Sequence, residues 1–481
     1  MLFNSLEFAV FFTVVFIFYW FVFTKYLRLQ NLFIVTAGYF FYGWWDWRFL
    51  VLLFISSLVD YIVALKIETH TEKIYRKIWL IVSFVVNIGI LGFFKYYNFF
   101  IDSFSEMLQV FGFSPNIHSL HIILPVGISF YTFQTMSYTI DVYHNKLKPT
   151  KDIVAFFAFV SFFPSLVAGP IERAVNLLPQ FLAKKFFDYT KAVDGMRQIV
   201  WGLFKKIVVA DSCALFVNSV FGNHLDYSSF TLLLGGLFFA FQIYCDFSGY
   251  SDIAVGVGKL FGINLMRNFN YPYFSRDIAE FWRRWHISLT SWFRDYVYIP
   301  LGGNRTTIAK IVRNIFIIFI LSGFWHGANW TFITWGVINA TLFLPLILTK
   351  KNKQYTDIMA KDRCLPNFKE IAQIMATFCL VTFGWIFFRS ESINQAFSYI
   401  GHILSFTSGC TFSASRILVI FGLITYMFVI EWISRKDGHG LEKIGLKWHP
   451  VYRHVFYLFN ILIICGFALV TKEQTFIYFQ F

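Results

Sequence analysis

Two histidines stand apart from the other nine by their surroundings. His326 lies in SGFWHGANW (Ser322 to Trp330), between apolar runs, where an ionisable side chain is costly and marks a functional candidate. His286 lies in EFWRRWHISLTSWFRDY, where aromatic and basic residues interleave. A neutral imidazole in a dry site can take a proton from a hydroxyl and serve as a general base. A core histidine can also simply rest against a backbone carbonyl, and position alone leaves both readings open for His326. Gly323 and Gly327 flank Trp325-His326, which predicts a backbone loosened there so that a substrate can come close. His70, His144, His439, His449 and His454 sit in or beside expected cytoplasmic loops, and His118, His121, His224 and His402 in or near outer ones. These nine read as solvated surface residues.

Other chemistries lack their residues. HExxH is absent and nearby carboxylates do not match zinc spacing, so no metal site is expected. The six cysteines (Cys213, Cys245, Cys364, Cys379, Cys410, Cys465) form no CxxC pair, and neither a disulfide framework nor a metal cluster follows from them. GVGKLFG (Gly256 to Gly262) fails the phosphate-loop pattern, and no G-x-S-x-G elbow exists. Asp246 and Asp252 sit inside the apolar run YCDFSGYSDIAVG. They either pair with arginines of a basic stretch or line a path for protons or ions.

The elements that must hold these residues are membrane helices. Of 481 residues, 57% are hydrophobic and only 14% charged, against about 25% charged in soluble domains, and there are 65 Phe. Such a chain could not cover its own surface in water, and disorder and nucleic-acid binding are excluded on the same ground. The formal net charge of +14 belongs in cytoplasmic loops. Apolar segments that could cross a bilayer are 6–24, 31–46, 48–66, 78–95, 120–140, 196–220, 230–262, 312–325, 328–349, 371–389, 414–433 and 455–471. Pro164, Gly169 and Pro170 break 152–170, which reads as re-entrant or interfacial. The expectation is an all-α polytopic membrane protein of about 11–13 transmembrane helices plus re-entrant and interfacial amphipathic helices, one membrane domain over 1–481.

Loops 96–119, 221–229 and 390–413 contain no Lys or Arg, whereas 67–77, 141–151, 172–195, 264–311, 350–370 and 434–453 hold most of the basic residues. If 152–170 does not cross, the two kinds alternate sides and both termini lie outside. MLFNSLEF lacks a basic n-region and a cleavage site, so the first apolar run is expected to stay uncleaved. Within 264–313 there are eight basic residues against three acidic ones. Phe281, Trp285, Leu289, Trp292 and Tyr296 recur there at helical spacing, with Arg283, Thr290 and Arg294 facing the other way. This predicts one basic amphipathic helix lying in the cytoplasmic interface, or a helix that merely anchors a loop.

The run EFWRRWHISLTSWFRDYVYIPLGGNR (Glu280 to Arg305), followed by SGFWHGANWTFITWG (Ser322 to Gly336), closely resembles the membrane-bound O-acyltransferase family, and within it the AlgI-like branch of alginate O-acetyltransferases. Supporting pieces are ILPVGISFYTFQTMSYTIDVY, FFPSLVAGPIER, YCDFSGYSDIAVG and the terminal FIYFQF. The resemblance covers nearly the whole chain in order. It implies a polytopic helical fold with a tunnel, and transfer of an acyl group from a cytoplasmic thioester to an acceptor on the outer side. It equates His326 with the family's essential histidine and His286 with its second motif position. It further implies a secreted or periplasmic esterase-like partner, a surface polysaccharide as final acceptor and a bacterial cytoplasmic membrane as location. Peptidoglycan O-acetylation and D-alanyl transfer to teichoic acid are alternatives by the same mechanism.

The physical reading fits that resemblance. The basic stretch would attract a polyanionic donor such as acetyl-CoA, with Arg283, Arg284 and Arg294 as phosphate contacts. Trp285 and Trp292 would seat the pantetheine arm, His326 would act as base, and His286 would donate to the oxyanion or hold the donor. No permanently bound cofactor is expected. The outer loops are too short to hold a polymer, which favours relay to a partner protein. A rival of another class is a secondary transporter using Asp246, Asp252 and His326 as a proton relay.

Overall fold

The computed structural model describes residues 1–481 except 114–118, 121, 168, 407, 410–411, 471–475 and 478–481. The described residues are helical wherever they are regular, and the chain divides into two compact units.

The first unit, Met1–Ala192 with Val257–Met266, holds α1 (Leu6–Ile17), α2 (Leu27–Gly43), α3 (Leu50–Thr69), α4 (Lys73–Leu91), α5 (Tyr97–Val110), α6 (Ile128–Tyr143), α7 (Ile153–Val160), α8 (Phe163–Leu166) and α9 (Ala174–Leu182). Every residue from Ile128 to Val142 is buried, so α6 is surrounded by protein on all sides. Helices α7 and α8 have eight and four residues. At 1.5 Å per residue α7 rises about 12 Å, too short to cross a bilayer. Asp60 of α3 is buried among neutral donors: Ser83 Oγ at 2.5 Å and Asn87 Nδ2 at 2.9 Å, both on α4.

The second unit, Val193–Gly256 with Arg267–Phe481, contains most of α10 (Tyr189–Leu203) and α12 (Ser229–Leu260), together with α11 (Asp211–Gly222). It continues through α13 (Ile278–Arg284), α14 (Ile287–Phe293), α15 (Ile308–His326), α16 (Trp330–Leu348), α17 (Phe368–Arg389), α18 (Ile393–Leu404), α19 (Ala414–Ile433) and α20 (Pro450–Val470). Glycines set its closest packings. A Cβ on Gly202 would lie 2.6 Å from the Gly249 carbonyl, and one on Gly256 2.6 Å from that of Gly195. The pairs 202/249 and 195/256 keep a constant sum, as two antiparallel helices in near contact must. Small residues let membrane helices gain dispersion contacts that lipid cannot supply.

Eight helical segments among the described residues are long and apolar enough to cross a membrane: Trp47–Thr69, Lys73–Val110, α12, α15, α16, α17, α19 and α20. All twelve expected segments overlap helices; the other four are the shorter α1 and α2, the enclosed α6, and 196–220, which a π-helical turn at Phe204–Ala210 interrupts. The protein is a multi-pass, all-helical membrane protein. Residues such as Val455, Leu458 and Leu462 on α20 are exposed, as a lipid-facing surface requires.

Candidate active site

The expected single helix from Phe281 to Tyr296 is two helices. Trp285 is extended (φ −98°, ψ 129°), and His286 adopts the left-handed conformation (φ 44°, ψ 54°) before α14 begins. A left-handed non-glycine residue costs about 1–2 kcal/mol, so something must hold it. The segment from Asn268 to Asn270 does. The Asn268 carbonyl accepts the Ile287 N–H at 2.8 Å, and the Asn270 N–H donates to the Arg284 carbonyl at 2.9 Å, bracketing Trp285-His286 on both sides. The Asn268 Oδ1 accepts the Ser288 hydroxyl at 2.9 Å and its N–H at 3.3 Å, while Nδ2 donates to Ser251 Oγ on α12 at 3.2 Å.

The break turns His286 into the N-cap of α14. Its Nδ1 accepts the Leu289 N–H at 3.4 Å, which leaves the ring proton on Nε2. Burial holds this imidazole well below its ordinary pKa, so it is a neutral donor. The surrounding aromatics also sit otherwise than an interfacial helix demands. Phe281, Trp285, Leu289 and Trp292 are all buried, with Trp285 packed against Phe269 and Trp385, rather than turned toward headgroups.

His326 is the last residue of α15 and is also buried. Its ring lies 6.3 Å from that of His286, centroid to centroid, at 69°. Trp325 borders both, at 5.8 Å from His286 and 5.0 Å from His326, and Trp335 and Phe388 each stand 5.3 Å from His326. The two histidines are thus brought together among buried aromatic rings. The loosened backbone expected at Gly323 and Gly327 is found at Gly327 alone, which is extended and ends the helix. Helix α15 runs unbroken to His326, and the glycines exist because a Cβ on Gly323 would strike the Phe332 carbonyl and one on Gly327 the Phe332 ring.

The remaining site candidates divide. Arg284 is buried and bound to Glu280 at 2.8 Å, and it also reaches the Asp357 carbonyl. Arg283 is exposed and donates to the carbonyls of Asn352 (2.8 Å) and Tyr355 (2.5 Å). Arg294 is exposed and paired with Asp295 at 2.7 Å. Trp285 and Trp292 are buried, Trp285 against Phe269, Phe281 and Trp385 and Trp292 against Phe293 and Tyr296.

The acidic pair finds lysines, not the arginines of the basic stretch. The π-helical turn Phe204–Ala210 places Lys205 on Asp252 at 2.6 Å and Lys206 between Asp246 at 2.7 Å and Asp211 at 2.8 Å. Asp246 also accepts the Ile477 N–H at 2.7 Å, and Phe476 packs 5.9 Å from Phe247, whose ring is 4.6 Å from His286. The rest of the terminal FIYFQF motif lies outside the described residues. So do His118, His121 and Cys410. His439, expected to be solvated, is buried, and its Nε2 meets Asp194 Oδ1 at 2.9 Å because the loop after α19 tucks under α10. Asn268, Ser251, Lys205 and Lys206 carry no motif of their own; Ser251, Lys205 and Lys206 are marked only by polarity inside apolar runs, and Asn268 by nothing beyond its place in the basic stretch.

Residues 146–387 match the family model for membrane-bound O-acyltransferases. The chain belongs to the membrane-bound O-acyltransferase family. It is 40% identical over 382 residues to a probable alginate O-acetylase AlgI of Azotobacter vinelandii, covering 79% of this chain and 73% of that protein. It is 33% identical to a peptidoglycan O-acetyltransferase of Helicobacter pylori, over 94% of this chain and 91% of that one. A teichoic acid D-alanyltransferase of Bacillus subtilis is 30% identical over 56% and 70% of the respective chains. The protein is therefore an O-acyltransferase of the acetyltransferase kind, and the transporter reading falls away.

Proposed function

We propose that this enzyme moves an acetyl group from a cytoplasmic thioester, acetyl-CoA or an equivalent donor, across a bacterial cytoplasmic membrane for O-acetylation of a cell-surface polysaccharide such as alginate. The observation that carries the reading is the pair of buried imidazoles, 6.3 Å apart, in a chain 40% identical to alginate O-acetylases. One group bound beside both rings can be served by both. His326 takes the proton as an acceptor hydroxyl attacks the thioester carbonyl, and returns it to the departing thiolate sulfur as the new ester C–O bond replaces the C–S bond. His286, with its proton on Nε2, donates to the oxygen on which charge develops. The aromatic walls exclude water and so suppress hydrolysis of the thioester. Of the three arginines expected at donor phosphates, Arg283 and Arg294 are exposed and would exchange the Asn352 and Tyr355 carbonyls and Asp295 for phosphate oxygens, while Arg284, Trp285 and Trp292 are buried. A secreted esterase-like partner completes transfer to the polymer, since the Lys/Arg-free outer loops are too short to hold one.

Peptidoglycan is a second acceptor reading, favoured by the similarity to the Helicobacter pylori enzyme over 94% of this chain. Alkali-labile acetate on fractionated cell-surface polymers tests both, comparing wild type with His326→Ala at equal membrane abundance. Loss of acetate from one fraction names the acceptor. Unchanged acetate in every fraction sinks the proposal.

A further inference from the structure

We propose that the first unit carries a binding site for one anionic phospholipid, at the end of the first apolar helix. Two adjoining cavities, about 470 and 780 Å³, share a rim formed by Lys184, Lys185, Phe186 and Phe187. The smaller runs down along Phe16, Trp20 and Phe21, and Lys25 completes its upper edge. The larger adds Lys191 and Asp188, so four ammonium groups face one carboxylate.

Three observations select a lipid. The first is polarity along the groove. Its walls change from Phe16 and Trp20 to Lys25 in nine residues, about 13 Å at helical rise and somewhat more where Phe23–Lys25 leave the helix. One leaflet of hydrocarbon is about 15 Å deep, so an acyl chain can lie along the aromatics while its phosphate reaches the lysines. Inorganic phosphate and soluble acyl donors have nothing to place in the lower part.

The second is that the cations are available. None of Lys25, Lys184, Lys185 and Lys191 makes an ion pair among the described residues. Lys185 donates to the carbonyls of Gln180 and Ala183, and burial pulls its pKa down to about 8. A phosphate beside it would raise that pKa again by favouring the charged form.

The third is a rigid frame around an exposed rim. The Trp20 indole N–H donates to the Leu260 carbonyl at 2.9 Å, and its ring meets Phe187 at 5.3 Å. Phe21, Phe186 and Tyr189 are 79%, 75% and 74% exposed. Aromatic rings at that level belong to the headgroup region, with lysines above them.

The test is native mass spectrometry of the full-length protein released from nanodiscs containing phosphatidylglycerol and phosphatidylethanolamine at 1:4. Wild type should retain phosphatidylglycerol over phosphatidylethanolamine. The double variant Lys184→Gln/Lys185→Gln should retain at least fivefold less, and Phe21→Ser should lower retention by weakening the chain contact. If the double variant does not fold, Lys25→Gln serves in its place with the same expected direction. Equal retention by wild type and the lysine variants overturns the proposal. So does displacement of the lipid by millimolar inorganic phosphate or acetyl-CoA, which would mark a general anion site or a donor site instead.

Discussion

Asn268 holds the strained turn that presents His286, and Asn268→Ala measures that role. Truncation removes the Oδ1 acceptor from the Ser288 hydroxyl and N–H and the Nδ2 donor from Ser251. The two bonds to Ser288 contribute about 0.5–1.5 kcal/mol each, hence about 1–3 kcal/mol together. The left-handed backbone of His286 costs about 1–2 kcal/mol, so the restraint and the strain are matched and the turn relaxes when the restraint goes. If that energy is spent on orienting the imidazole, the transfer rate falls about 5- to 150-fold, at 1.36 kcal/mol per decade. The assay is acetyl transfer by membranes with matched protein content. Asn268→Asp keeps the acceptor and, protonated, a donor, and should recover most of the rate. Only a positioning role separates the two variants in rate while their thermal melts stay close. A wild-type rate for Asn268→Ala, or equal losses for both variants, would refute the reasoning.

Gly336→Ala drives a methyl into the Phe319 carbonyl where α15 meets α16, and should cost about 1–3 kcal/mol, seen as reduced membrane abundance and a lower melting temperature. Lys206→Ala leaves Asp211 and Asp246 buried beside an empty position, with an expected loss of about 3–5 kcal/mol in detergent unfolding. Burial raises the Glu172 carboxyl, which lies outside the spanning helices, from 4.5 to about 8. The folded state therefore holds a proton that the unfolded chain releases, so this contribution is complete below about pH 4.5 and is lost as pH rises toward 8; the melting temperature of wild type should fall relative to Glu172→Gln between pH 5 and pH 8.

The spans were legible because lipid demands long apolar runs, and the run at 414–433 has the same limits as its helix. The pairing of His286 with His326 was legible only as two motifs; nothing in their separation of forty residues says that the rings meet. The break at His286 was hidden because the aromatic spacing around it satisfies a helical stripe on both sides, while the decisive restraint comes from Asn268, eighteen residues upstream. The lysine partners of Asp246 and Asp252 were hidden for a similar reason. Lys205 and Lys206 are adjacent in sequence, and only the wide π-helical turn sends them to different carboxylates. His439 read as solvated because a loop position carries no record of the helix that covers it.

Everted membrane vesicles, with the cytoplasmic face outward, test the central claim most directly. Acetyl-CoA labelled in the acetyl group is added outside, and alkali-labile label on luminal polymer is counted for wild type and His326→Ala at equal abundance. Label should appear in the lumen for wild type and fall by at least about 100-fold for the variant, the scale of general-base help. Transfer by His326→Ala at the wild-type rate would contradict it.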